Sequence, residues 1–399
     1  MERNEFIKHF KIPSSLAGLT MTQEEVIQKG IMSSKDWNDI CLQFPGINFK
    51  GMLPLGFSPE YVFRRNFTHL IAMREFIQNA LDETEEVYGQ PKAKTWQEGN
   101  TLWIEDDGRG VSLDAFRMGG VSKKPWMRGY YGEGLKLAAA HLVAHQIPVT
   151  LFAGLDAYHV LLFPNDRQGS FFVMLGSTEV PVHGTRIQIQ NTPLNVEELL
   201  PLVRFWNPVL SEKTIAEEWY EDSSDNPPKP SCIFDYPNEL YVRNMYVGKM
   251  SEVAKRDALL SYDLWWFRLD VTRTLMTSTV PLLFQEISKV LSRSLPARQL
   301  FVKKIHEAGM LKISERLAIP CIEFNPIFAT VEGHLFVYAC PKGMIDAFID
   351  ELGLKNSQHL IRRVKDDDEA RLAHQQGFIP MQLHYELTEE LDVIPPFQP

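Results

Sequence analysis

Cysteine is scarce in this chain and is not arranged for chemistry. Cys41, Cys232, Cys321 and Cys340 lie far apart and form no C-x-x-C pair. That spacing excludes the common zinc and dithiol motifs and reads as buried thiols in a reducing compartment. No run of about 18 apolar residues occurs, and Met1-Glu2-Arg3-Asn4-Glu5 carries no apolar signal region. The expectation is a soluble, cytoplasmic protein with no membrane partner. Asn66-Phe67-Thr68 fits a glycosylation sequon, but without a secretory signal it is a chance match. Internal repeats are absent. Positive charge is the minority sign, with 41 Lys and Arg against 51 Asp and Glu and a net charge of −10. This excludes non-specific nucleic-acid binding by the whole surface and leaves a local basic patch open.

The rest of the composition is that of an ordinary globular protein. At 399 residues there is room for two or three domains, by a rule of about 150 residues each. Hydrophobic residues at 44% and charged residues at 23% allow a sizeable core.

Three short patterns stand out in order between Met73 and Lys136. The first is Glu75-Phe76-Ile77-Gln78-Asn79-Ala80-Leu81-Asp82. Helical periodicity runs from about Phe63 to Glu86, with Phe67, Leu70, Ile77 and Leu81 on one stripe. Glu75, Asn79 and Asp82 follow i, i+4, i+7 on a second stripe, which can direct three oxygen-bearing side chains at one ligand. The same spacing also fits a solvated helix face. The second pattern, Asp106-Asp107-Gly108-Arg109-Gly110, follows a strand over Thr101-Leu102-Trp103-Ile104-Glu105. Its glycines suit close approach of a ligand, and a carboxylate at the strand end can accept from an amino group. An ordinary Asp-Gly turn is the alternative. The third, Gly129-Tyr130-Tyr131-Gly132-Glu133-Gly134-Leu135-Lys136, opens a helix expected from Leu135 to about His145. Glycines there expose backbone N–H groups to an anion at the positive end of the helix dipole, and Lys136 adds a point charge. A plain helix start has the same look. The Walker A spacing is absent. Residues 112–131, rich in glycine and lysine, suit a mobile cover over phosphates or a surface loop.

Pro148 to Ala153, Tyr158 to Phe163, Ser170 to Leu175 and Thr185 to Gln190 read as strands of an antiparallel meander. With the strand at Leu102 they make a sheet that the helices at 67–86 and 135–145 can cover, giving an α+β two-layer sandwich. Upstream, Thr22-Gln23-Glu24-Glu25 is a capping box, and Gly46, Gly51, Pro54 and Gly56 punctuate an irregular approach. Downstream are a helix near Val196 to Phe205 and a polar, proline-rich break from Glu221 to Pro230. An alternating strand follows from Leu240 to Val247, then a helix from about Val280 to Ser294. A strand at His334 to Ala339 and a helix at Met344 to Leu352 mark the last hundred residues. Arg362-Arg363-Val364-Lys365 beside Asp366-Asp367-Asp368-Glu369 is solvated surface.

In combination the three patterns, with Gly184-Thr185, resemble the GHKL ATPase superfamily over residues 73–190. That group includes type II topoisomerase ATPase subunits, MutL, heat-shock chaperones, histidine kinases and MORC proteins. DDGRG has the form seen in topoisomerase subunits, and Gly132-Glu133-Gly134-Leu135-Lys136 looks closer to the MORC form. The resemblance implies a Bergerat-type sandwich binding ATP and Mg²⁺. Asn79 would hold the metal, Glu75 would be the general base, and Asp106 would recognise the adenine amino group. Gly108 and Gly110 would let the base approach. Gly132, Gly134 and Lys136 would bind phosphates, Thr185 would hold the adenine end, and Asp82 would support the site. Arg273, in Leu269-Asp270-Val271-Thr272-Arg273, resembles the basic residue a transducer domain sends toward the γ-phosphate; a structural arginine is the alternative.

The expected organisation is an N-terminal segment (1–60), an ATP-binding domain (61–192), a transducer-like α/β domain (193–300) and a C-terminal α/β region (301–399). The resemblance also implies lid closure and a homodimer acting on a protein or DNA partner. Two other functions remain: a nucleotide-binding switch without turnover, and a histidine-kinase-like phosphotransferase. A phosphoacceptor-helix motif, a cleavage tyrosine domain and a metal-nuclease motif are all lacking.

Overall fold

A computed structural model of the chain describes residues 1–63, 67–116, 128, 133–163, 170–219, 230–254, 257–265, 267, 269, 280–294, 296–297, 300–301, 304, 328–331, 334–338 and 380–381. It falls into two units, Met1–Leu202 and Val203–Pro399.

In the first unit the order is α1 (Arg3–His9), α2 (Ser14–Ala17), β1 (Met21–Thr22), α3 (Gln23–Gln28), α4 (Ser34–Gln43), β2 (Ile47–Pro54) and α5 (Pro59–Phe63). Then come α6 (His69–Tyr88), β3 (Lys94–Glu98), β4 (Thr101–Glu105), α7 (Gly134–Ala144), β5 (Val149–Phe163), β6 (Ser170–Gln190) and α8 (Val196–Leu199). All strand pairs are antiparallel. The sheet runs β1-β2-β6-β4-β3, with β5 also paired to β6. Alternation along the strands builds the core. Ile104 lies opposite Ile187, which faces Leu151, and Leu102 lies opposite Ile189, which faces Val149. All six side chains are buried. α6 packs on β4, and α7 packs on β5 and α6. The unit is an α+β assembly of an antiparallel sheet with helices packed on it.

The sequence-level strands differ from the observed ones in three places. The four segments expected between 148 and 190 are two long strands. Register shifts at Ala153, Gly154 and Asp156 let β5 continue past the expected turn, and β6 accommodates the extra residues between Ser177 and Val182. The glycine- and proline-marked stretch expected to be irregular is β2. It pairs with β6 from Ile47 to Pro54, with a bulge between Phe49 and Gly51. Glycine is required at 51 because a Cβ there would overlap the Phe6 ring and the Met21 carbonyl. Around β2 the first fifty residues add their own apolar cluster. Val26, Met32, Trp37, Phe44 and Phe49 pack with Met52 and Met174.

The third difference lies in the second unit. Its elements are α9 (Pro208–Glu212), β7 (Thr214–Trp219), β8 (Pro230–Phe234), β9 (Glu239–Val242), β10 (Met245–Lys249), α10 (Met250–Ala254), β11 (Ser261–Asp263) and α11 (Val280–Arg293). The short strands β12 (Phe328–Val331), β13 (His334–Tyr338) and β14 (Pro380–Met381) follow. A mixed sheet runs β10-β9-β11-β8-β7, with β9 and β11 parallel. The alternating run read as one strand from Leu240 is a hairpin, because Arg243 and Asn244 both take positive φ (54° and 66°). Consecutive left-handed residues form the tight turn whose twist suits antiparallel strands. The helix expected at Val196 to Phe205 is the single turn α8 followed by 3₁₀ turns. The expected helix at Met344 to Leu352 and the charge run from Arg362 lie outside the described residues.

Candidate functional site

α6 begins where Thr68 caps it, its hydroxyl accepting from Ile71 N at 3.2 Å. It ends at Gly89, which adopts the left-handed C-cap conformation. Met73, Phe76, Ile77, Ala80 and Leu81 turn into the core. The apolar stripe therefore lies one turn later than Phe67 and Leu70 imply: Phe67 precedes the helix and Leu70 is exposed. The polar stripe is not a solvated face. Glu75, Gln78, Asp82 and Glu85 are buried, and Asn79 is half-buried. Four buried polar side chains on one face of a helix are far less common than an exposed acidic face, and they need partners.

At the middle of α6 the partner is Arg128. Its backbone N–H donates to Asp82 Oδ1 at 2.9 Å, and its Nη1 donates to Asp82 Oδ1 at 3.2 Å and to Glu85 Oε2 at 2.6 Å. All three side chains are buried. Asp82 is thus engaged in an internal ion pair. Sequence reasoning missed Arg128, because its acidic partners lie 46 and 43 residues away along the chain.

At the C-terminal end of α6 the DDGRG turn packs close. Gly108 lies so near Glu83 that a Cβ would overlap its side chain. Arg109 Nε donates to Glu83 Oε1 at 2.7 Å, and its Nη2 donates to Glu86 Oε2 at 2.8 Å. Asp106 joins this turn to β6. Its Oδ1 accepts from Gly108 N at 2.9 Å and from Thr185 N at 3.2 Å, and its own N–H donates to the Thr185 carbonyl at 2.9 Å. Burial lifts the Asp106 carboxyl to about 6, against the pull of these backbone donors. The Thr185 hydroxyl accepts from Val111 N at 2.9 Å. Gly110 and Gly184 both take positive φ (88° and 69°). A Cβ on Gly184 would overlap the Asp106 backbone, so Asp106, Gly110 and Thr185 form one knot of close backbone.

At the other end of the polar stripe Gly134, the first residue of α7, packs against the Glu75 carboxylate. A Cβ at 134 would occupy its place. Asn79 Nδ2 donates to the Glu75 carbonyl at 2.7 Å, which turns its Oδ1 away from the helix backbone. Lys136 is fully buried in the first turn of α7, and desolvation lowers its ammonium to about 8. The Tyr61 hydroxyl donates to Glu133 Oε2 at 3.3 Å beside the same helix start. Glu75, Asn79, Gly134 and Lys136 thus share one end of the α6–α7 pair, while Asp106, Gly108, Gly110 and Thr185 share the other end of α6. Gly132 and Arg273 lie outside the described residues, as do residues 117–127 and 129–131 of the expected cover. Gln78 is a further buried group on the polar stripe whose Nε2 has no hydrogen-bond partner among the described residues.

No family model matches the chain, and no curated protein matches it. Among solved structures, the ATPase region of Saccharomyces cerevisiae topoisomerase II is similar, at 11% identity over 48% of this chain and 71% of that one, with a TM-score of 0.30. Among the described residues no helix is long and apolar enough to cross a membrane.

Proposed function

We propose that the chain binds ATP with Mg²⁺ on the polar face of α6 and hydrolyses it, in the manner of the GHKL ATPases its motifs resemble. One observation supports this above the others: α6 spans the two clusters. Glu83 packs on the DDGRG turn, and eight residues earlier Glu75 packs on Gly134. At about 1.5 Å per residue that is about 12 Å, the scale of a nucleoside triphosphate from base to terminal phosphate.

In this reading Asp106 accepts from the adenine amino group. Both of its backbone donors fall on Oδ1, and the Thr185 side chain also hydrogen-bonds the carboxylate. Gly108 and Gly110 admit the base, and Thr185 fixes the adenine end. The amide oxygen of Asn79 is a hard ligand of the kind Mg²⁺ takes. Mg²⁺, when bound, supplies charge neutralisation between the phosphates. Gly132, Gly134 and Lys136 would offer N–H groups and a positive charge to the phosphates. Glu75 orients a water and takes its proton as the oxygen attacks the terminal phosphorus and the bond to ADP breaks. Asp82 holds Arg128. Lid closure and homodimer formation would pass the ATP cycle to a protein or nucleic-acid partner.

The purified chain should release phosphate from ATP in a Mg²⁺-dependent reaction. Glu75→Ala should lower kcat by about 10²–10⁴-fold, the usual share of a general base, with ATP binding retained. Unchanged turnover in that variant would sink the mechanism. Binding without turnover in the parent chain would leave a nucleotide-operated switch.

A further inference from the structure

A second group of side chains lies on the same two helices, away from the proposed nucleotide groups. His69 opens α6, and His141 and His145 stand one turn apart at the end of α7. The packing of α6 on α7 brings the three imidazoles together, so that one ring nitrogen of each lies within 4.8 Å of the others. His69 Nδ1 and His141 Nε2 are 3.2 Å apart. The His145 ring is centred 4.4 Å from that of His141 and 5.0 Å from that of His69. His69 is half-buried, His141 buried and His145 exposed.

We propose that His69, His141 and His145 form a three-histidine site for a divalent transition metal, Zn²⁺ first, that clamps the start of α6 to the end of α7. Two nitrogens bound to one tetrahedral zinc at about 2.0–2.1 Å are about 3.3 Å apart. The His69–His141 separation already has that value. A hydrogen bond between these two rings would account for the pair but not for the third. His145 Nδ1 lies 2.8 Å from the His141 carbonyl oxygen. A carbonyl only accepts, so Nδ1 carries the proton and Nε2 keeps the lone pair that can bind a metal. A backbone carbonyl fixing the tautomer in this way is the usual support of a metal-ligating histidine. The donors are all imidazole nitrogens, which suit Zn²⁺, Ni²⁺ or Cu²⁺ and disfavour Mg²⁺ and Ca²⁺. Three protein ligands leave a fourth position for water. The Phe67 ring, 5.9 Å from His141, and the Phe63 ring, 5.7 Å from His145, border the cluster with apolar surface. This inference rests on α6–α7 packing and holds whether or not ATP is the ligand further along the helices.

The test uses the untagged, metal-free full chain titrated with Co²⁺ and then Zn²⁺. A single Co²⁺ should bind with the visible absorption of a tetrahedral nitrogen site. Zn²⁺ should displace it and raise Tm, since a ligand that binds only the folded state stabilises it. His145→Ala and His69→Ala should each weaken binding by about tenfold or more and abolish the visible band. His145 is exposed, so its variant should keep the parent Tm without metal and decides the matter even if His69→Ala fails to fold. Absence of binding would overturn the proposal. So would binding that His145→Ala leaves unchanged, or a near-ultraviolet thiolate band assigning the ion to cysteine.

Discussion

Asp106 and Lys136 sit on opposite sides of neutrality for the same reason. Burial raises the carboxyl to about 6 and lowers the ammonium to about 8. An adenine amino group needs the carboxylate, and phosphates need the ammonium. ATP affinity should therefore be flat between about 6 and 8, falling by up to about tenfold per pH unit on either side. The acid limb comes from Asp106 gaining a proton and the alkaline limb from Lys136 losing one. Asp106→Asn should remove the acid limb and weaken binding by about 10–100-fold, the worth of one charge-assisted hydrogen bond at ~1.5–3 kcal/mol. Calorimetric titration across that range checks this, and an acid limb surviving in the variant would assign the proton elsewhere. For folding the sign is reversed. The folded state holds the Asp106 proton longer than the unfolded one, so stability from this group is lost as pH rises from its ordinary 3.8 through about 6. The candidate residues were legible because Glu75, Asn79 and Asp106 stand in local spacings. The displaced pKa values were not, because they arise from burial by elements distant in sequence.

α6 is the element on which the clusters converge, and Arg128 pairs with two acids of its polar stripe. Removing that arginine takes a buried guanidinium away from two neighbouring buried carboxylates, Asp82 and Glu85. Arg128→Ala should destabilise the chain by about 3–5 kcal/mol, the usual result of stripping one partner from a buried ion pair. Urea unfolding measures it, and adding Asp82→Asn and Glu85→Gln should recover much of the loss. Arg109, in the DDGRG turn, offers the contrast against the same helix. It also pairs with two glutamates, but its side chain is 61% exposed. Arg109→Ala should cost no more than about 1 kcal/mol, since solvent screens such pairs. The sequence shows both arginines as basic residues near glycines. Only the fold distinguishes the buried one from the exposed one.

At the scale of the whole molecule, the described members of the proposed nucleotide site, from Glu75 to Thr185, all fall within Met1–Leu202. The resemblance to GHKL ATPases carries an expectation of ATP-driven dimerisation. The 45.8 kDa chain should double in mass with a non-hydrolysable ATP analogue and Mg²⁺, and stay single without nucleotide. Light scattering in both conditions reads this directly, and a monomer in each would remove the dimer clamp. The same samples, analysed for co-purifying protein or nucleic acid, bear on the partner. With a net charge of −10, a nucleic-acid partner would have to meet a local basic surface.

The sequence by itself determined the local features. Periodicity marked α6, β4 and the start of α7, and three short patterns marked where chemistry could gather, because helix spacing and turn glycines act over a few residues. Tertiary structure decided what those features face. Long-range pairing made β2 a strand of the sheet and drew β5 and β6 through their glycines. Packing put Glu75 against Gly134, Asp82 against Arg128 and His69 against His141. Each of those contacts joins residues far apart in the chain, and no local pattern encodes them.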